Sequence, residues 1–316
     1  VSKVSFYRVE MDRAGQRIDN FLIGYWKKLP KSRVYRVLRK GEVRVNGKRV
    51  KPEYRLVADD EIRLPPVTLP ESNTETVMPG QSLQQHLDSA ILYEDDFVVA
   101  INKPSGLAVH GGSGIRLGLI ESYRAMRPEL KFVELVHRLD KDTSGVVLIA
   151  KKRSALTQLQ AEFRAKTTVK KTYWCLVHGR WSDKVTEVDA PLRKQQAVGG
   201  ERFVRVAPDG KASLTRYRVL KSYPQATWVE AQPVTGRTHQ IRVHCQHAGH
   251  PILGDSKYQT GRAEQLCREM GLERLFLHAA QLRVPHPDTG LELVVEAPLE
   301  QSLASLLQRL SADSHS

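Results

Sequence analysis

Val136-His137-Arg138-Leu139-Asp140-Lys141-Asp142-Thr143-Ser144-Gly145 is a short polar run set between apolar ones. Val133, Leu135 and Val136 flank its N-terminal side, and Val146, Val147, Leu148 and Ile149 follow it. The flanks read as buried strands, and the middle reads as a tight loop closed by Thr143-Ser144-Gly145. A loop held between two core strands presents a carboxylate in a fixed direction. Asp140 and Asp142 are both candidates, with the cations Arg138 and Lys141 beside them. An ordinary turn rich in Asp and Gly has the same local composition, so the rest of the chain has to decide.

Around this stretch the pattern is strand-rich. Ile91 to Ile101 reads as strand, acidic turn and strand, ended by Asn102-Lys103-Pro104-Ser105-Gly106. Ser154 can cap a helix carrying Leu156, Leu159 and Phe163, and Lys170 to Val177 follows as a β-rich run. Within that run Tyr173 is either a core residue or a platform for a base. Arg193 to Arg202 is a polar insertion that reads as peripheral. Thr215 to Leu220, Ala226 to Ala231 and Leu291 to Val295 read as strands; Leu275 to Leu282 reads as strand or short helix, and Glu300 to Leu310 as a final helix. Strands with interspersed helices and no regular βαβ alternation predict an α+β fold rather than a doubly wound one.

Thr238 can cap a helix running to Ala248, with Ile241, Cys245 and Ala248 on one apolar stripe and Arg242 as a rigidly mounted cation. His239, His244, Cys245, His247 and His250 crowd this segment, but their spacing fits no finger or metalloprotease pattern, and no metal is expected. His110-Gly111-Gly112-Ser113-Gly114 lacks the ending of a phosphate loop, so no nucleotide cofactor is expected either.

The first fifth of the chain is different. Between Lys27 and Arg55 lie twelve Lys or Arg residues and only two acids, Glu42 and Glu53. A helix is predicted from Arg33 to Arg39, capped by Ser32 and ended by Gly41, after an earlier one from Gln16 to Leu22. Lys31, Arg33, Arg36, Arg39 and Lys40 make it a cationic surface. Glu42 to Val45, the Asn46-Gly47 turn and Lys48 to Val50 predict a hairpin, with a further strand at Asp60 to Leu64. From Thr68 to Ala90 there is no Lys or Arg, and the composition predicts a flexible linker. The expected organisation is a small basic module over 1–67, a linker over 68–90 and a large domain over 91–316.

A formal net charge of +14 favours a polyanionic partner, nucleic acid first. No apolar run is long enough to span a bilayer, and Val1-Ser2-Lys3-Val4 does not begin a signal peptide. Cys175, Cys245 and Cys267 form no disulfide framework, which fits a reducing cytoplasm.

Helix, helix, Asn-Gly hairpin and basic face together resemble the small RNA-binding module first named for a ribosomal small-subunit protein. This implies structured RNA gripped through phosphates and shape. The large domain carries five segments in order: Asn102 to Gly106, His137 to Gly145, Lys171-Thr172-Tyr173, Gly236 to His244, and Gly249-His250-Pro251-Ile252-Leu253-Gly254-Asp255. This ordered set resembles the RluA-type pseudouridine synthases. The resemblance implies a mixed, mainly antiparallel catalytic sheet beside the small N-terminal α/β module. The implied activity is isomerisation of uridine to pseudouridine in large-subunit ribosomal RNA, by a monomer needing no cofactor or metal. It implies Asp140 rather than Asp142 as the catalytic carboxylate, Tyr173 packing on the target base, Arg242 pairing with Asp140, and Arg138 entering the RNA where the uridine leaves its stack. Two other readings compete. A noncatalytic ribosome-associated RNA-binding protein would leave Asp140 merely structural, and a metal-dependent nuclease or phosphotransferase would use both aspartates.

Overall fold

The computed structural model describes residues 4–26, 29–67, 78–111, 117–196, 202–259 and 261–313. The chain divides into two compact units, Val1–Thr76 and Val77–Ser316.

The first unit holds strand β1 (Ser5–Arg8), helices α1 (Ile18–Tyr25) and α2 (Lys31–Lys40), and strands β2 (Arg44–Val45) and β3 (Glu61–Leu64). Its sheet order is β1-β3-β2, antiparallel throughout. Val34, Val37 and Leu38 of α2 pack with Phe21 and Leu22 of α1 over Ile62. Helix α2 starts at Lys31, directly after Pro30, so Ser32 lies inside the first turn rather than capping it. Gly41 ends the helix at φ +69°, a left-handed position that favours glycine. Asn46 and Gly47 both have positive φ, as a tight hairpin turn requires. The predicted return strand forms only a bridge from Lys48 to Val45, and β2 finds its main partner in β3 instead. The buried Asp60 pins the turn, accepting from Asn46 Nδ2 (2.7 Å), the Tyr54 hydroxyl (3.0 Å) and the Val57 amide (2.8 Å).

The second unit opens with helix α3 (Gln81–Ser89). This corrects part of the expected linker. Leu83 and Leu87 stand one turn apart and pack against a core that includes Ile101 and Tyr123, which outweighs the polar composition around them. Residues 68–77 of that stretch lie outside the described residues.

The strands that follow are β4 (Ile91–Glu94), β5 (Val98–Lys103), β6 (Glu134–Leu135), β7 (Ser144–Ala150), β8 (Lys170–His178), β9 (Glu187–Asp189), β10 (Leu192–Gln196), β11 (Arg202–Val206), β12 (Leu214–Ser222), β13 (Ala226–Pro233), β14 (Leu277–Pro285) and β15 (Glu292–Glu296). Helices α4 (Leu119–Met126), α5 (Arg153–Ala165), α6 (Gln240–His247), α7 (Gly261–Met270) and α8 (Gln301–Asp313) lie between and after them. One large sheet runs β4-β5-β7-β14-β8-β13-β12-β9, with β6 on β7 and β15 on β14. Its pairings are antiparallel except β14 with β7, so the sheet is mixed and mainly antiparallel, in an α+β unit. Leu277 to Leu282 is strand, settling the choice left open there.

Strand β7 is buried along its whole length, and the parallel β7–β14 pairing brings Gly145 against Ala279. Gly145 has φ +110°, and a Cβ there would lie 2.2 Å from the Ala279 carbonyl oxygen. Only glycine lets the polar loop enter the core so abruptly.

The polar insertion, Arg193 to Arg202, sits between strands that are anchored in the core. Its ends form the β10–β11 hairpin, and Leu192 and Val204 pack with Val243 of α6 and with Tyr258. Residues 197–201 lie outside the described residues, as do 112–116 of the glycine loop.

Candidate active site

The Asp140 loop is braced from behind by the Asn102–Gly106 segment. Lys103 is fully buried, and its ammonium donates to the carbonyls of Pro104 (2.9 Å), Leu107 (2.8 Å) and Lys141 (2.9 Å). Burial pushes its pKa down to about 7, with the carboxylates of Asp142 and Asp140 acting the other way. The Gly106 amide also reaches the Lys141 carbonyl (3.0 Å), and the Ser105 hydroxyl reaches the Asp142 carbonyl (2.7 Å). Within the loop, the Thr143 amide closes on the Asp140 carbonyl at 3.2 Å. Beyond it Ser144 Oγ meets His278 Nδ1 (2.9 Å) and accepts from Arg274 (2.8 Å). The backbone that carries Asp140 is therefore held at each step.

The Asp140 carboxylate is partly exposed and faces two groups from the α6 segment. Arg242 Nη1 stands 3.7 Å and His239 Nε2 3.8 Å from its Oδ2. The expected Arg242–Asp140 pairing is thus present, but it is the looser of two. Arg242 is clamped by the fully buried Asp255, through Nε at 2.8 Å and Nη2 at 2.7 Å. A bidentate pair of this kind fixes the guanidinium plane and leaves its remaining edge turned to Asp140. Asp255 also accepts the amides of Lys257 (3.0 Å) and Tyr258 (3.2 Å), which satisfies a carboxylate that burial would otherwise penalise.

Helix α6 begins at Gln240, one residue later than a Thr238 cap predicts, because His239 takes a left-handed conformation (φ +53°) at its N-terminus. Thr238 therefore does not cap it. The turn at His239 aims its ring at Asp140 and at Tyr258, whose hydroxyl lies 2.6 Å from His239 Nδ1. Burial lowers the pKa of His239, opposed by Asp140 and aided by Arg242. The other members of the apparent metal cluster have separate duties. His244 is buried between the Thr215 hydroxyl and the Ala190 carbonyl, and Cys245 lies in the core.

Tyr173 on β8 packs between two hydrophobic clusters, near enough to Asp140 to feel its charge. Burial, then Asp140, raises the pKa of its phenol. Tyr173 is thus a core residue that borders the candidate site. Arg138 is exposed and has no side-chain partner among the described residues. The neighbouring His137 points inward, stacks on Phe163 and accepts from the Leu148 amide. Asp142 does not join Asp140. It lines a cleft of about 630 Å³ with Ser105, Arg274 and Glu300, a cleft that Asp140 and Tyr173 do not border.

In the first unit Lys31, Arg33, Arg36, Arg39 and Lys40 are all exposed on α2. Lys40 lies 3.8 Å from Glu42, and the side chains of the other four have no partner among the described residues.

Comparison with known proteins gives the family. Residues 97–247 match the family described as RNA pseudouridylate synthase, and residues 16–62 match the S4 domain. Ribosomal large subunit pseudouridine synthase C of Vibrio vulnificus (strain CMCP6) is 52% identical over 311 residues, covering 98% of this chain and 97% of the relative. The protein of that name from Escherichia coli (strain K12) is 53% identical over 309 residues, covering 97% of each. The chain belongs to the RNA pseudouridylate synthase family. The synthase also superposes on solved structures. Human RNA Pseudouridylate Synthase Domain Containing 4 matches with a TM-score of 0.59 and 30% identity, over 73% of this chain and 96% of that one. Human RNA Pseudouridylate Synthase Domain Containing 1 matches with a TM-score of 0.55 and 26% identity, over 75% and 98%.

The residues missed from the sequence are Asp255, His239, Tyr258 and Lys103. Asp255 had a signal, since it ends one of the five ordered segments directly after the apolar Ile252-Leu253. Tyr258 had none, because its partners lie on the hairpin and on the α6 turn.

Proposed function

We propose that this protein converts uridine to pseudouridine in large-subunit ribosomal RNA, with Asp140 as the catalytic carboxylate. The observation that carries this reading is the convergence of Arg242 and His239 on Asp140 Oδ2, at 3.7 and 3.8 Å, beside Tyr173.

A uracil stacked in RNA is out of reach of Asp140, so it leaves the stack at a cost of a few kcal/mol. Stacking on Tyr173 returns about 1–3 kcal/mol. Arg138, exposed and without a partner among the described residues, is free to fill the vacated space. Arg242, fixed by Asp255, aims Asp140 at the junction of sugar and base. The nitrogen–carbon glycosidic bond breaks, the uracil turns in the pocket, and a ring carbon takes the place of the nitrogen. That carbon gives up its hydrogen and the released nitrogen gains one, so the product is an isomer.

The cations of α2 bind RNA phosphates, which places the sequence-independent part of affinity in the N-terminal unit. The protein acts as a monomer in the cytoplasm, where its three cysteines, all free and buried, stay reduced.

The test is pseudouridine formation in unmodified large-subunit rRNA, with EDTA present, for the wild type and Asp140→Asn. Product from the wild type and none from the folded variant is expected. Equal product from both would remove Asp140 from the chemistry, and product from neither would place the substrate elsewhere.

A further inference from the structure

Lys171 is a shielded cation with nothing to hold among the described residues. It lies on β8, two residues before Tyr173, so both side chains leave the same face of the strand about 7 Å apart. Burial, with the charge of Lys166 added, lowers its pKa to about 8. Its ammonium has no hydrogen-bond or ion-pair partner among the described residues.

Other shielded cations of this unit are matched. Lys103 has three carbonyls, Arg242 has Asp255, Lys151 has Glu94 at 2.8 Å, and Arg274 has Glu300 and Ser144. The groups around Lys171 offer no substitute. Burial and Lys171 itself push the pKa of His137 down to about 3, so the ring is neutral, and its Nε2 is taken by the Leu148 amide. Lys166 is a like charge. A cation held partly out of water without a counter-ion is costly, and an arriving anion offsets that cost.

The way in is also built. A Cβ placed on Gly236 would lie 3.8 Å from Lys171 Nζ, and Gly236 itself is exposed. The ammonium therefore sits under a gap that carries no side chain, at the turn that leads from β13 to His239 and Arg242.

We propose that Lys171 binds a backbone phosphate of the RNA strand, at or next to the nucleotide whose base stacks on Tyr173. This rests on the reading of Tyr173 as the base platform. The site would then hold the target nucleotide by its base on Tyr173 and by its backbone on Lys171, two fixed points on one strand.

The test uses the full-length protein and an rRNA fragment containing the modified site. Affinity is measured over a range of salt for the wild type, Lys171→Met and Lys171→Arg. The Met variant is expected to bind about tenfold more weakly, and its plot of log affinity against log salt to flatten by about 0.7–0.9, the share of one phosphate. The Arg variant keeps the wild-type slope. In a second arm the wild type binds fragments in which single phosphates flanking the target are replaced by neutral methylphosphonates. One linkage should weaken the wild type and leave Lys171→Met unaffected. An unchanged salt slope in folded Lys171→Met overturns the proposal. If the Met variant does not fold, the wild type alone decides, because indifference to every flanking replacement overturns it equally. An active Asp140→Asn would sink the catalytic reading while leaving both binding results standing.

Discussion

The Tyr258 hydroxyl and His239 Nδ1 lie 2.6 Å apart, and a third group bears on which of them donates. The Val204 amide of the β10–β11 hairpin donates to the Tyr258 oxygen at 2.9 Å. With that amide on one lone pair, a phenol that donates to Nδ1 leaves both partners matched, and this is the arrangement we expect. His239 then carries its own proton on Nε2, the nitrogen that faces Asp140. A hairpin residue more than thirty positions away in sequence would thus favour one histidine tautomer in the candidate site.

Tyr258→Phe removes that selection. Nitrogen chemical shifts should show wild-type His239 neutral, with Nδ1 unprotonated and Nε2 protonated. In the Phe variant Nδ1 is free to take a proton. The pKa of His239, set otherwise by burial and by Asp140, Arg242, Lys257 and Asp255, should rise. The acid limb of the pH–rate profile should move to higher pH with it. A wild-type spectrum with the proton on Nδ1 would contradict the assignment.

Asp255→Ala leaves the guanidinium of Arg242 buried without its main counter-ion. Removing one partner of a buried pair costs about 3–5 kcal/mol. Urea denaturation should show a loss of that order, and kcat should fall in whatever fraction stays folded, because Arg242 no longer has a fixed plane. A loss below about 1 kcal/mol would mean that Asp140 or water takes over the pairing.

Stability should fall on the acid side. Burial lowers the pKa of His278 to about 4 and that of His137 to about 3, whereas both titrate near 6.5 when unfolded. The unfolded chain therefore binds protons first. The contribution of these residues is complete above pH 6.5 and is lost as pH falls towards about 4 for His278 and about 3 for His137. Between pH 7 and pH 5 the expected loss is about 2 kcal/mol for each, read from urea midpoints. In His278→Gln the slope should be shallower by the share of one histidine. A pH-independent midpoint in the wild type would show that these rings are not held neutral.

Replacing Arg33, Arg36 and Arg39 together by Gln should reduce the salt slope of RNA binding by about 2–3 and leave kcat at saturating RNA unchanged. An unchanged slope would mean that α2 does not face the phosphates.

Much was legible in the chain itself. The all-apolar run from Val146 to Ala150 announced a buried strand, and Asn46-Gly47 announced its turn, because both are dictated by neighbours along the backbone. The polar loop between such strands marked Asp140 and Asp142 alike, and only the family resemblance chose between them. Local composition misled where packing overrode it. Residues 81–89 looked like linker but fold as α3, since Leu83 and Leu87 find a core that no local window reveals.

Tertiary structure alone decided which groups meet in the candidate site. Periodicity tells which residues are buried, but it does not tell which groups meet. That Arg242 grips Asp255 before it faces Asp140, that Lys103 holds the carbonyl of Lys141, and that Val204 reaches His239 through Tyr258 all depend on contacts between separate elements. Hydrogen bonds act over about 3 Å, and only the folded sheet brings these groups within that range.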